Sequence, residues 1–358
     1  MAGQTSPLNV EGHVPDTEPV AVRIAVVMPL YNGRLWVEKA LRSVLGQTVP
    51  PDELIVIDDG CTDGSVEIVR AIAKNQAHLR VLTQPNTGQS AARNLAISQC
   101  ESDWIALIDQ DDIWYPNHLE ELADAVRHHR GLRLGWVYSD FDDIDADGQM
   151  VSRGYISRTR LDNPKRDLLK VLAQGFIIQP SATLISRAAV LEVGGFDEHL
   201  SGYEDDDLFL RIFRADYDNA FIPIPTSQWR IHASSAGGTD RTEASLRHYS
   251  QKLLDAYPDD KWRGHYYRKD AIAPRFIGVW LHMYIIASRY KNRAKMRLYA
   301  REASFLVRYL RPRARVTMTV VLFVLRQPVF TLLWAGSADG DAVGEGALGS
   351  WARRVSGL

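Results

Sequence analysis

Short apolar runs alternate with segments of helical periodicity through the first third of the chain. The apolar runs cover 22–29, 53–58, 79–82 and 103–108, and apolar residues recur every three to four positions in the segments between them. Runs this apolar predict strands that are buried on both faces. Because each intervening helix returns the chain to the same end of the sheet, the alternation predicts a mostly parallel sheet flanked by helices.

Polar clusters follow three of these strands directly, at residues 29–32, 58–60 and 109–112. In an open sheet of this class, ligands bind in the crevice beyond the carboxyl ends of the strands. We therefore expect the three clusters to converge on one site.

The third cluster, Asp109-Gln110-Asp111-Asp112, carries three carboxylates at the end of a buried strand. Carboxylates crowded together and withdrawn from water repel one another and need a positive partner. Their hard oxygen atoms suit Mg²⁺ or Mn²⁺ better than Zn²⁺. The cluster therefore predicts a divalent cation that binds together with a phosphate ligand.

Charge and cysteine content restrict the class of protein further. The two cysteines, Cys61 and Cys100, form no CxxC pair, which excludes a disulfide framework and a thiolate zinc site. Residues 1–235 hold 21 basic and 34 acidic residues, a net charge of -13, whereas residues 236–358 hold 21 basic and 10 acidic residues, a net charge of +11. We expect an acidic catalytic part and a basic part that meets an anionic surface or acceptor.

This asymmetry underlies the predicted domain organisation. Residues 1–21 have no continuous apolar core and are predicted to be a disordered lead-in rather than a signal peptide. We predict a catalytic domain over 22–237 and a basic helical region over 238–358. No nucleic-acid-binding motif accompanies the basic charge, so nucleic acid is not an expected partner.

Basic and apolar residues interleave in the C-terminal region, a pattern typical of membrane surfaces. Two apolar runs, 316–325 and 329–334, are separated by Arg326-Gln327-Pro328, and each is shorter than the ~20 residues that a spanning helix needs. We expect peripheral membrane contact through 289–334. The open alternative is that these helices pack onto the catalytic domain as ordinary core.

The order of five motifs resembles that of family 2 glycosyltransferases with the GT-A fold, a Rossmann-like mixed sheet flanked by helices. The resemblance covers roughly residues 22–235. Its motifs are Val27-Met28-Pro29-Leu30-Tyr31-Asn32, Asp58-Asp59-Gly60 with the residues to Ser65, Gly88-Gln89-Ser90-Ala91-Ala92-Arg93-Asn94, the Asp109–Asp112 cluster, and Gly194-Gly195-Phe196-Asp197-Glu198 followed by Glu204-Asp205.

The resemblance implies roles on the nucleotide side of the site. Asp59 would accept a hydrogen bond from the N3–H of uracil or thymine, with Pro29 and Tyr31 shaping the same pocket. Arg93, whose planar cation suits a diphosphate, is expected to bind the donor. An exposed helix arginine is the alternative interpretation of Arg93.

The Asp109–Asp112 cluster resembles the family's DxD element, which contacts the ribose and the metal. Asp109 and Asp111 are therefore expected at the nucleotide sugar, and Asp111 or Asp112 at the metal. His232 resembles a late histidine that completes the metal shell, although a structural role for a lone histidine is equally open.

A second acidic run, 204–207, precedes a helical pattern. A hydroxyl acceptor needs a base to take its proton, and the resemblance assigns that task to Asp205. We expect Asp206 and Asp207 to be solvated or to cap the helix.

The sequence thus predicts a metal-dependent, inverting glycosyltransferase that uses Mn²⁺ or Mg²⁺ and a nucleotide-diphosphate sugar, with UDP- or dTDP-sugars favoured. The acceptor is expected to be a saccharide or lipid-linked saccharide in cell-surface polysaccharide or glycolipid synthesis. The protein is expected in the cytoplasm, with the inner face of the cell membrane as the place of contact. A sugar-phosphate nucleotidyltransferase and a non-catalytic sugar-binding or scaffold protein are the alternatives.

Overall fold

A computed structural model of the protein describes residues 21–131, 133–232 and 240–327. Among these residues, one twisted sheet is built from nine strands. In chain order they are β1 Ile24–Leu30, β2 Glu53–Asp58, β3 Leu79–Thr83, β4 Trp104–Leu107, β5 Ile113–Trp114, β6 Leu134–Ile144, β7 Met150–Ser152, β8 Thr183–Ser186 and β9 Asp218–Arg230.

The strand order is β3-β2-β1-β4-β8-β6-β9-β5, and β7 extends the sheet from β6. Strands β3, β2, β1 and β4 are parallel to one another, and β6 is parallel to β9. Strand β8 lies between β4 and β6 and runs antiparallel to both. The carboxyl ends of β1, β2, β4 and β6 therefore lie at the same edge of the sheet, and the predicted site residues follow three of those ends.

The described helices are α1 Val37–Leu45, α2 Ser65–Ala73, α3 Gln89–Gln99, α4 His118–His128, α5 Leu168–Gln174, α6 Arg187–Glu192, α7 Glu204–Arg214, α8 Asp240–Ala256, α9 Ala273–Arg289, α10 Arg293–Leu306 and α11 Pro312–Arg326. One π-helical turn, Arg268–Ile272, runs directly into α9. The mixed, mostly parallel sheet with flanking helices predicted from the sequence is confirmed.

Side-chain alternation along β1 explains why both faces of the sheet are covered. Ala25 and Val27 point into the hydrophobic core that contains α3, α6 and α7, whereas Val26 and Met28 point into the core beneath α1 and α4. Burial on both faces leaves the strand ends as the place where polar side chains meet solvent.

Strand β9 is not evident from the sequence, because Pro223 and Pro225 interrupt its pattern. Proline removes a ladder hydrogen bond and is confined to edges and bulges. The pairing of β6 with β9 shifts register between Ser139 and Phe141, opposite the segment that contains these prolines. The irregular ladder admits both prolines and lets β9 continue to Arg230, beside the predicted DxD loop.

The C-terminal helices pack on the catalytic fold. Buried residues of α8 to α11 belong to the same hydrophobic core as α5 and α7. Tyr249 of α8 stacks on Tyr203, with ring centroids 5.6 Å apart, next to the start of α7. Most apolar residues of 289–310 therefore pack into the core, which is the alternative to membrane contact. The division into two domains stays a prediction.

One described helix, 268–289, is long and apolar enough to cross a membrane by length and composition. Its most apolar window is 67% buried inside the protein, as in the core helix of a globular fold. Three predicted features lie outside the described residues: the lead-in up to residue 20, the boundary at 237–238 and the apolar run 329–334.

Candidate active site

Asp59, the predicted base-recognition residue, follows β2 and is buried. Its Oδ1 accepts hydrogen bonds from Gln84 Nε2 (2.8 Å) and the Thr87 backbone N–H (2.9 Å), and its Oδ2 accepts one from the Gly88 N–H (2.9 Å). The carboxylate thereby fixes the loop that leads into α3. Its contact with a uracil or thymine ring stays a prediction.

The ends of β1 and β4 are joined through one amide side chain. Gln110 Oε1 accepts a hydrogen bond from the Tyr31 backbone N–H (2.8 Å), and Gln110 Nε2 donates to the Tyr31 carbonyl (3.1 Å). The Tyr31 side chain is exposed at this edge, beside partly buried Pro29. Their part in a pocket for the base stays a prediction.

Asp111 and His232 meet although 121 positions separate them in the chain. His232 Nε2 lies 2.7 Å from Asp111 Oδ2, and the imidazole stacks on Trp36 with ring centroids 4.2 Å apart. Burial and the neighbouring Asp109 carboxylate raise the pKa of Asp111, and His232 opposes that shift. The structure thus brings together two of the three predicted metal ligands.

Asp112, the third predicted metal ligand, is only 1% exposed. Its Oδ2 accepts hydrogen bonds from Ser181 Oγ (2.5 Å) and Gln179 Nε2 (3.3 Å), and its Oδ1 accepts one from the Arg230 backbone N–H (3.0 Å). Burial, followed by the Asp111 and Asp109 carboxylates, raises the pKa of Asp112 well above its usual value. In this geometry Asp112 anchors the loop to β9 and to the turn before β8.

No group of three or more His, Cys, Asp or Glu side chains arranged to hold a metal occurs among the described residues. The Asp111–His232 pair still offers one carboxylate oxygen and one imidazole nitrogen side by side. A divalent cation bound through one or two side chains commonly takes its remaining ligands from substrate phosphates and water. The pair therefore fits a cation that binds together with a diphosphate.

Arg93, on α3, connects the two acidic clusters. Its side chain is 1% exposed, with Nη2 2.7 Å from Asp109 Oδ1 and Nη1 2.9 Å from Glu204 Oε1. Burial lowers the pKa of a guanidinium, but Asp109 and Glu204 outweigh that effect and raise it. The exposed-arginine interpretation is wrong, and the predicted contact with the diphosphate stays a prediction.

Asp205 lies in the first turn of α7, one residue after Glu204. Its Oδ1 accepts a hydrogen bond from the Asp206 backbone N–H (2.8 Å). Burial, followed by the charges of Glu204 and Asp206, raises the pKa of Asp205 to about 8. A carboxylate with a pKa in this range is a stronger base than an ordinary aspartate and titrates near neutral pH.

The expectation that Asp206 and Asp207 are solvated or cap the helix is wrong. Asp206 forms a buried ion pair with Arg275 of α9 and accepts a hydrogen bond from the Phe176 backbone N–H (2.9 Å). Asp207 is buried and pairs with Arg211 Nε (2.8 Å) and Lys252 Nζ (2.7 Å). Both carboxylates form ion pairs that link α7 to the C-terminal helices. The sequence does not predict these ion pairs, because it does not show that those helices pack against α7.

Several residues of the site have no assigned role in the sequence interpretation. Arg230 is buried behind the Asp109–Asp112 cluster, where its Nε donates to the Asp111 carbonyl (2.8 Å) and its Nη1 to the Asp145 carbonyl (2.9 Å). Its position two residues before His232 was a usable signal, because alternate residues of a strand share one face. Ser181 and Trp36 carry no such signal.

Comparisons with known proteins agree with this geometry. The family described as "Glycosyl transferase family 2" matches residues 25–194, which include β1 to β8 and the Asp59, Arg93 and Asp109–Asp112 positions. Residues 25–194 are a glycosyl transferase family 2 domain. The predicted family and its GT-A fold are therefore confirmed, whereas Asp205 and His232 lie beyond the matched residues.

Similar proteins include the putative glycosyltransferase EpsH of Bacillus subtilis, 26% identical over 239 residues, which are 65% of each chain. A chondroitin synthase of Escherichia coli is 28% identical over 193 residues, 53% of this chain and 26% of the synthase. The crystal structure of S. aureus TarS 1–349 in complex with UDP-GlcNAc superimposes with a TM-score of 0.62 at 15% identity, covering 87% of this chain and 90% of TarS 1–349.

The chain spans less than two thirds of the length of these curated relatives. It covers 65% of EpsH and 18% of a chondroitin synthase of Pasteurella multocida. Glycosyltransferase is the enzyme class named for EpsH and for several further relatives.

Proposed function

We propose that this protein transfers a sugar from a nucleoside-diphosphate donor to a hydroxyl acceptor, with inversion at the anomeric carbon. The observation that carries the proposal is the pair of buried contacts made by the Arg93 guanidinium. It binds Asp109, at the start of the DxD loop, and Glu204, which directly precedes Asp205 in α7. A donor bound at the loop and a base at α7 are the two parts that a single displacement requires.

In the proposed reaction, the acceptor oxygen forms a bond to the anomeric carbon while the bond from that carbon to the diphosphate oxygen breaks. The acceptor proton passes to a carboxylate oxygen of Asp205, and the diphosphate leaves with the electron pair of the broken bond. The raised pKa of Asp205 strengthens it as a base once it is ionised.

On the donor side, we assign Asp111 and His232 as ligands of the divalent metal ion, because Asp111 Oδ2 and His232 Nε2 lie 2.7 Å apart. Asp112 is not assigned to it, since both of its oxygens already accept hydrogen bonds. Mn²⁺ or Mg²⁺ at this pair would neutralise negative charge on the leaving diphosphate. Asp109 holds Arg93 in place and lies at the predicted ribose and phosphate position.

On the nucleotide side, Pro29, Tyr31 and the Asp59 loop are the proposed pocket for the base. A uracil or thymine ring is favoured by the resemblance, and the TarS structure with UDP-GlcNAc supports a nucleotide-sugar donor. The proposed acceptor is a saccharide or lipid-linked saccharide at the inner face of the cell membrane. No observation favours a nucleotidyltransferase or a non-catalytic protein, and neither is proposed.

The experiment is a donor screen that measures nucleoside diphosphate released from UDP-, dTDP-, GDP- and CMP-linked sugars, with Mn²⁺, with Mg²⁺ and with EDTA. We expect release from a UDP- or dTDP-sugar that needs a divalent cation. Release that is equally fast with EDTA would contradict the metal assignment, and the absence of release from every donor would contradict the proposed activity.

A further inference from the structure

Trp262 stands fully in solvent at the tip of an ordered turn between α8 and α9. Reciprocal backbone hydrogen bonds close the turn, from the Asp260 N–H to the His265 carbonyl (2.7 Å) and from the His265 N–H to the Asp260 carbonyl (2.9 Å). Asp260 Oδ1 also accepts hydrogen bonds from the backbone N–H groups of Trp262 (2.9 Å) and Arg263 (3.1 Å). The turn therefore holds out an indole that is 99% exposed, between Lys261 and Arg263.

Helix α11 is apolar on two faces. One face, with Met318, Leu322 and Leu325, is buried in the core. A second stripe at Val316, Val320 and Phe323 is exposed, with fractional exposures of 66%, 59% and 65%. The spacing of four and three residues places these side chains on one side of the helix. Since the inner face already anchors the helix, the outer stripe is left without a partner among the described residues.

Contacts between side chains connect the start of α11 with the segment that follows the turn. Arg311 forms a two-pronged ion pair with Asp270, with both N–O distances 2.6 Å, and its guanidinium lies over the Tyr266 ring. Beside it, Arg308 covers the exposed Phe305 ring at 3.8 Å. The segment that directly follows the turn is therefore in contact with the residue before α11.

The C-terminal helices that contribute to this contact are strongly cationic. Residues 289–327 contain 11 Lys and Arg and one acidic residue, Glu302. Tryptophan favours the boundary between headgroups and acyl chains, and basic residues next to apolar ones favour anionic lipid. Trp262 lies between two cations, and the apolar stripe of α11 has arginines at its start, so each segment combines both preferences.

We propose that the 260–265 turn and the outer stripe of α11 are a docking surface for an anionic lipid bilayer. The proposal rests on the proposed function for its setting, a lipid-linked acceptor, and it narrows the predicted contact through 289–334. The inner residues of α10 are excluded because they are core, and the turn, which lies outside 289–334, is added. The apolar helix 268–289 takes no part, since most of it is buried.

The test is co-sedimentation of the full chain with vesicles of phosphatidylcholine alone or with added phosphatidylglycerol. We expect binding to the anionic vesicles that weakens in high salt, because the cations are screened. Val320→Ser with Phe323→Ser, and separately Trp262→Ala, should each lower the partition coefficient at least ~10-fold, as expected when buried apolar area is lost. The matched control is Val151→Ser, since Val151 is also 59% exposed and lies on β7, which pairs with β6.

Two results would overturn the proposal. One is vesicle binding by the variants that equals that of the unaltered chain. The other is no binding of the unaltered chain to anionic vesicles. Nucleoside diphosphate release in solution should not change in these variants. Absence of release by the unaltered chain, with vesicle binding intact, would instead contradict the proposed transfer activity.

Discussion

Arg93 Nη1 lies 2.9 Å from Glu204 Oε1, so a buried cation on α3 fixes the residue that directly precedes the proposed base. The other end of the same guanidinium holds Asp109. The positions of the Asp109–Asp112 cluster and of α7 are therefore coupled through one side chain.

Replacing Arg93 with Met should destabilise the fold by about 3–5 kcal/mol, because Asp109 and Glu204 lose their buried partner. The free energy of unfolding, from urea denaturation monitored by circular dichroism, measures this loss. Arg23→Ala is the control, since the Arg23–Asp103 pair is exposed to solvent and should contribute little to stability. Equal losses in the two variants would contradict the role given to Arg93.

Substitutions of Asp111 and Asp112 should have different effects, one mainly on Mn²⁺ binding and the other mainly on stability. Asp112→Ala leaves the Ser181 hydroxyl and the Arg230 N–H without their acceptor and should cost about 2–4 kcal/mol of stability. Asp111→Ala should cost less than about 1 kcal/mol, because it relieves crowded carboxylates, yet it should weaken Mn²⁺ binding. Thermal unfolding and calorimetric Mn²⁺ titration in the presence of a nucleoside diphosphate measure the two effects, and the reverse pattern would assign the metal to Asp112.

Trp36 should matter for the metal through His232. Trp36→Leu removes the ring on which the imidazole stacks, so His232 loses one of the contacts that orient it. We expect Mn²⁺ affinity to fall by about 10-fold, the lower end of what loss of an orienting contact to a metal ligand costs. Unchanged Mn²⁺ affinity, measured by the same calorimetric titration, would contradict an orienting role for Trp36.

The pH dependence of stability should report the carboxyl of Asp205. Its pKa is about 8 in the folded protein and 3.8 in its ordinary state. The folded state therefore holds the proton more tightly, and its stability falls as pH rises from about 4 to about 8. Asp205→Asn removes this loss, so the melting temperature of the variant should exceed that of the unaltered chain by more at pH 8 than at pH 5. A constant difference would contradict the raised pKa.

The sequence predicts the part of the fold that depends on local pattern. Strands β1, β2 and β4 are apolar on both faces, and their periodicity differs clearly from that of α1 and α3. Their parallel pairing then predicts that Asp59 and Asp111 lie at one edge of the sheet. The remainder depends on contacts between distant segments. Arg93 with Glu204, Asp111 with His232 and Asp206 with Arg275 are each separated by more than 60 positions, and no local pattern reveals which carboxylate is paired and which is left to act as a base.

The central claim is that Asp205 takes the acceptor proton. It is tested most directly by nucleoside diphosphate release, with the donor and acceptor found by screening, in the unaltered chain and in Asp205→Asn. Glu192→Gln at the end of α6 is the control, since Glu192 is exposed and pairs with Arg133. We predict that kcat falls at least ~100-fold in Asp205→Asn, with little change in donor KM, and that kcat/KM of the unaltered chain rises with pH through about 8. Turnover of Asp205→Asn within a few-fold of the unaltered chain would contradict the assignment.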